Sequence, residues 1–119
     1  MSRDIRPSEL QPCSRFYGEL GFEPVPVPAG IEGRAVWLEY AGSQIHLRVV
    51  DEAVAAARRP TGHVGVVISE YAATVARLEA EGHRVEPRRE HWGAPRSYVR
   101  DPAGHLVELM ASPPPARGR

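Results

Sequence analysis

Three side chains set the chemical question: His46, His63 and Glu108. Imidazole nitrogen and carboxylate oxygen are the donors that hold zinc, nickel, manganese or iron, and two histidines with one carboxylate leave positions open for a substrate. Each lies in a stretch patterned as a strand: AGSQIHL (Ala41–Leu47), GHVGVVI (Gly62–Ile68) and AGHLVEL (Ala103–Leu109). Gln44, His46 and Arg48 alternate with Ile45, Leu47 and Val49, so His46 fits either a ligand or the wet face of a half-buried strand. Glu108 shares its face with Leu106 and Met110, where a lone carboxylate is costly and calls for a partner. His63 shares its face with Thr61, Gly65 and Val67, small residues that leave room above the ring.

The elements that must position these groups follow from turn chemistry and periodicity. Asp4–Pro7 predicts a strand, and Ser8 is placed to cap a helix over Glu9–Leu20 that Gly21 ends. Phe22–Val27 holds three prolines and predicts an edge strand or extended loop. Gly30–Gly33 is a turn; Arg34–Ala41 and Gln44–Val50 predict strands joined at Gly42–Ser43. Asp51–Pro60 reads as a polar, Ala-rich linker with room for a helical turn. The order then repeats: strand Gly62–Ile68, Ser69 as cap, helix Glu70–Glu81, extended His83–Pro87, and strands Pro95–Arg100 and His105–Ala111 about the turn Asp101–Gly104.

The repeat has a measurable offset. Gly21 and Gly82 each follow a helix and stand 61 residues apart, while His46 and Glu108 stand 62 apart. The 61-residue offset pairs Ser2 with His63. Each half is too small to close a core alone, so two halves packed together would bury one and leave a concave sheet. Equivalent positions then face a shared cavity, which brings His46, His63 and Glu108 together. The predicted organisation is one α+β domain over 1–119: module one 1–50, linker 51–60, module two 61–111 and a frayed Pro-rich tail 112–119.

Composition removes several classes of function. The chain has 119 residues, a formal charge of +0 and 15 basic residues, all of them arginine. Without lysine there is no Schiff-base chemistry and no Walker-type phosphate loop. The balanced charge gives no field for nucleic acid or membrane, and Arg84, Arg88, Arg89, Arg96 and Arg100 read as a solvated edge with an anion-binding rim as the lesser reading. Cys13 is alone, so neither an intrachain disulfide nor a cysteine-rich zinc site exists, and a reducing cytoplasm fits. Met1–Leu10 lacks the apolar core of a signal peptide. His83 and His105 flank turns and read as solvated, and Cys13 as structural.

The stretches RFYGELGFEP (Arg15–Pro24), AVWLEYAGSQIHL (Ala35–Leu47), GHVGVVISEYAATVARLEAEG (Gly62–Gly82) and SYVRDPAGHLVELM (Ser97–Met110) resemble the vicinal oxygen chelate superfamily. That group includes glyoxalase I, bleomycin-resistance proteins, extradiol dioxygenases, fosfomycin-resistance enzymes and methylmalonyl-CoA epimerase. The resemblance implies paired βαβββ modules that curl a mixed sheet around a cleft, and a homodimer. Whether one chain or halves of two build each cleft stays open.

The resemblance also implies metal ligands at the positions matched by Ser2, His46, His63 and Glu108. Serine is a poor ligand, so a glyoxalase- or epimerase-like pattern keeps three of four donors and a divalent metal (Zn, Ni, Mn or Fe) is expected, or none because of Ser2. The implied activity is that of a metal-dependent lyase or isomerase acting on a small substrate with vicinal oxygens through an enolate-type intermediate, with Glu108 as the proton acceptor. A metal-free small-molecule binding protein of the bleomycin-resistance kind and an iron-dependent dioxygenase are the alternatives. Trp37, Trp92, Arg96 and Tyr98 are the candidate substrate contacts, each weighed against an ordinary core or surface role.

Overall fold

A computed structural model describes residues 1–57 and 63–115. In chain order the elements are β1 (Ser2–Ile5), α1 (Leu10–Glu19), β2 (Glu23–Val25), β3 (Ala35–Tyr40), β4 (Ser43–Val49), α2 (Glu52–Ala57), β5 (His63–Val67), α3 (Tyr71–Ala80), β6 (Glu86–Arg88), β7 (Arg96–Arg100) and β8 (Leu106–Met110). Thr61, Gly62, the linker residues Arg58–Pro60 and the tail from Ala116 onward lie outside the described residues. The chain divides into two compact units: Met1–Thr61 with Asp101–His105, and Gly62–Arg100 with Leu106–Arg119. No helix among the described residues is long and apolar enough to cross a membrane.

Each unit carries one four-stranded mixed sheet, ordered β1-β4-β3-β2 in the first and β5-β8-β7-β6 in the second. In both, the first strand runs parallel to the last and the remaining pairs are antiparallel. The α+β class and the strand–helix–strand–strand–strand repeat therefore stand as expected. Period-2 alternation sorts the faces. In the first unit Ile5, Leu38, Ile45 and Leu47 are buried together with Cys13, Phe16 and Tyr17 of α1. Tyr17 meets Phe16 and Phe22 edge-to-face at centroid distances of 5.0 and 5.8 Å. In the second unit Val66, Leu78, Val99, Val107 and Leu109 form the corresponding core. Burying each such side chain is worth roughly 1.5–3 kcal/mol.

Helix starts differ from the sequence expectation. Ser8 caps nothing: a 3₁₀ turn over Pro7–Glu9 leads into α1, and the Glu9 carboxylate reaches back to accept the Arg6 N–H at 2.6 Å. Ser69 does not cap α3 either; Glu70 takes that place in the left-handed region, at φ 50°. The helix ends follow the glycines, with Gly21 at φ +109° and the Tyr40 ring so close that a Cβ there would meet it at 2.8 Å. Helix α2 occupies the start of the segment read as a linker, and it buries Ala55.

The turn between β7 and β8 groups with the first unit. Asp101 is 3% exposed and accepts the N–H groups of Ala103 and His105, both at 2.9 Å, and the Tyr17 hydroxyl at 2.6 Å. His105, expected in solvent, is buried, and its Nε2 lies 3.0 Å from the Asp4 carbonyl oxygen. The expectation failed because the sequence shows a polar turn but not what the turn lies against.

Candidate functional site

The solvent-side face of the first sheet is laid out by its ladders. Ser2 stands level with His46, and His46 with Trp37; one pleat along, Arg48 stands level with Ala35. The indole of Trp37 and the imidazole of His46 stack at 3.8 Å with 4° between their planes. His46 Nε2 lies 2.9 Å from Gln44 Oε1. An amide oxygen only accepts, so Nε2 carries the proton and Nδ1 is left as an acceptor. Burial holds the His46 pKa below the usual imidazole value, and the positive Met1 amino group adds to the effect. The ring is thus a neutral, flat, oriented surface.

These residues wall a cavity of about 500 Å³, lined by Ser2, Ile31, Ala35, Trp37, His46 and Val49 with Arg34 and Arg48 among its other members. That size suits a drug-sized ligand. Small Ala35 opens the floor beside Trp37. The sequence alternation had placed Arg48 on the His46 face, but neither Arg34 nor Arg48 was singled out; only the fold of the 30–35 turn brings Arg34 to the rim. The Arg34 N–H bonds the Ile31 carbonyl at 3.0 Å, and the Arg34 carbonyl takes the Val49 N–H at 2.9 Å.

The second unit presents a different cluster. Gly65 is level with Glu108, and Glu108 with Tyr98. Glu108 is 8% exposed and both its oxygens are engaged. Oε2 accepts Arg96 Nε–H at 2.7 Å, and Oε1 lies 3.3 Å from His63 Nε2. Arg96 was read as a surface residue; it is buried at 9% exposure because Glu108 neutralises it from within the sheet face. Its other nitrogens bond the Arg89 carbonyl at 2.9 Å and the Tyr98 hydroxyl at 3.4 Å. Its guanidinium also lies 5.4 Å from the Tyr98 ring and 5.9 Å from the Trp92 ring, and Arg88 lies 4.8 Å over Tyr98. The bond to Glu108 raises the Arg96 pKa further, so the guanidinium keeps its charge. Trp92 is tied by Nε1–H to the Ser112 carbonyl at 3.1 Å.

The expected ligands therefore distribute as follows. His63 and Glu108 are neighbours within the second unit, whereas His46 belongs to the first. Donors sharing one ion at about 2.0–2.2 Å stand roughly 3.0–3.5 Å apart, so the His63–Glu108 spacing matches two corners of a metal site. Among the described residues no three His, Cys, Asp or Glu side chains gather as a group able to hold an ion. The buried Arg96 also cancels the charge that would draw a cation to Glu108. The described residues of either unit thus do not make up a three-donor centre.

The ladders correct one step of the repeat. Ser2 is level with His46, and the residue level with Glu108 on β5 is Gly65, while His63 sits opposite Leu106. By strand register Ser2 matches Gly65 rather than His63, and the position matching His63 falls ahead of Met1. Helices keep one offset and first strands another because the 3₁₀ turn over Pro7–Glu9 alters the path from β1 to α1.

Comparison with solved structures gives the same fold. A glyoxalase family protein from Bacillus anthracis superposes with a TM-score of 0.74 at 23% identity, covering 92% of this chain and 88% of that one. The fosfomycin resistance protein FosX from Listeria monocytogenes gives 0.72 at 19% identity, covering 95% and 90%. TnmS3, an antibiotic binding protein from Streptomyces sp. CB03234, gives 0.62 at 22% identity, covering 92% and 91%. No curated protein matches by sequence. The family model of the Glyoxalase/Bleomycin resistance protein/Dioxygenase superfamily matches residues 4–109, and the chain belongs to that superfamily.

Proposed function

We propose that this protein binds a small planar conjugated molecule without a metal, seating it on the open face of the first sheet. The observation that carries the reading is the cavity of about 500 Å³ walled by the stacked Trp37–His46 pair. A flat ligand meets flat walls there, aliphatic Ile31, Val49 and Val50 exclude water from its edges, and the Ser2 hydroxyl and His46 Nδ1 supply hydrogen bonds. The charge-neutral Arg96–Glu108 pair supports the metal-free form, since a divalent ion taken up by Glu108 would have to compete with a buried guanidinium. TnmS3, of the same fold, is an antibiotic binding protein.

The test is fluorescence. The chain has two tryptophans, so Trp92→Phe leaves Trp37 as the sole indole reporter. Chelator-treated Trp92→Phe protein titrated with planar aromatic antibiotics is expected to show saturable quenching that Ala35→Leu abolishes by filling the floor. Quenching that is absent until a divalent metal is added contradicts the reading.

A divalent-metal lyase or isomerase is the second reading, favoured by the 3.3 Å spacing of His63 Nε2 and Glu108 Oε1. In it His63 and Glu108 would supply two donors to the ion, which would provide Lewis-acid polarisation of a substrate oxygen. Glu108 would accept the substrate proton, with Arg96 and Tyr98 orienting it. No observation favours the iron-dependent dioxygenase.

A further inference from the structure

The charges around the cavity narrow the ligand class. Both charged residues in its lining are arginines, Arg34 and Arg48, and no carboxylate lines it. The nearby acids are already bonded: Asp4 takes Arg48 Nε–H at 2.8 Å and Nη2–H at 3.1 Å, and Glu32 accepts the Gly30 N–H at 2.7 Å. Glu39 accepts the Gln44 amide N–H at 3.3 Å, away from the lining. Each guanidinium has five N–H donors. Arg48 spends two of them on Asp4, and Arg34 spends one on the Gly30 carbonyl at 3.1 Å. Donors therefore remain on both arginines, which stand at the Ala35 end of the ladder, one pleat from the Trp37–His46 pair. Asp4 also fixes the Arg48 fork, so little of its freedom is lost when a ligand arrives.

We propose that the first-sheet cavity is selective for planar aromatic anions, with the ring beside the Trp37–His46 pair and the carboxylate, phenolate or sulfonate against Arg48 and Arg34. This rests on the binding reading above and goes further by naming the charge of the ligand. Gln44 Oε1 holds the His46 ring at 2.9 Å, which fixes its orientation beside the ligand, while the two arginines set the sign.

Three matched probes test it by calorimetry on chelator-treated protein: 2-naphthoate, 2-naphthamide and 2-naphthylmethylammonium. The expected result is naphthoate binding at least about tenfold tighter than the amide, with the ammonium weakest. Added salt weakens naphthoate and leaves the amide unchanged. Arg48→Gln and Arg34→Gln, each checked by melting, are expected to shrink the naphthoate preference while the amide binds as before. Equal or tighter binding of the amide overturns the anion selectivity and leaves the cavity reading standing. If none of the three binds, both fall. If Arg48→Gln fails to fold, Arg34→Gln, whose side chain is exposed at the rim, decides alone.

Discussion

Replacing Tyr17 with phenylalanine removes one atom from the centre of the first unit. The Tyr17 side chain is fully buried, and its hydroxyl donates to Asp101 Oδ2 at 2.6 Å. Phenylalanine keeps the ring packing on Phe16 and Phe22, so no cavity larger than the oxygen opens. A buried hydrogen bond to a charged group is worth about 1.5–3 kcal/mol. Asp101 keeps its bonds from the Ala103 and His105 N–H groups, which places the loss near the middle of that range. For a chain of this length an unfolding entropy of about 2.1 cal/mol/K per residue turns 2 kcal/mol into a fall of about 8 °C in Tm.

The same bond gives a signature in pH. Burial, reinforced by the Asp101 charge, raises the Tyr17 pKa far above the usual phenol value. The unfolded chain ionises this phenol near pH 10 while the folded chain keeps the proton. Its stability contribution is therefore complete below about pH 10 and falls above it by about 1.4 kcal/mol per pH unit. Denaturant melts of wild type and Tyr17→Phe from pH 7 to pH 11 should show a gap that narrows above pH 10. A variant that melts within 1–2 °C of wild type at pH 7, or a gap that widens with pH, would refute the reasoning.

Three further outcomes follow from particular contacts. Ala41 sits at φ 51° ahead of Gly42 at φ 83° in the β3–β4 hairpin, the two-residue turn that favours Asn-Gly, so Ala41→Asn should raise stability by about 0.5–1 kcal/mol in a thermal melt. Glu108→Gln leaves Arg96 buried without its counter-charge; a lower Tm is expected, and an unchanged one would mean that the pair contributes nothing to the fold. Zinc, nickel or manganese added to chelator-treated protein should shift Tm by less than about 1 °C, whereas a rise of several degrees that His63→Ala removes would support the lyase reading.

What the sequence made legible was local and periodic. Alternation in SQIHLRV and HLVELM placed His46 and Glu108 on the faces opposite Ile45, Leu47, Val107 and Leu109, where the structure has them. The glycines at 21 and 82 marked both helix ends. Partner identity was not legible. Nothing in PRSYVR says that Arg96 folds inward onto Glu108: the apolar face of Glu108 calls for a partner, but which one depends on the β7–β8 register, and Arg96 taken alone reads as a surface residue. Arg34 reaches the cavity through a loop, and His105 is buried by a contact 101 residues away in the chain. Counting offsets paired Ser2 with His63, since a count assumes equal loops, whereas the ladders measure register directly.

Nuclear magnetic resonance on the metal-stripped, isotopically labelled protein tests the central claim most directly. Titrated with a planar aromatic ligand, the account predicts saturable shifts centred on Ser2, Ala35, the Trp37 indole N–H, His46 and Val49. Shifts that centre on His63, Tyr98 and Glu108, and that arise only once a divalent metal is supplied, would contradict it.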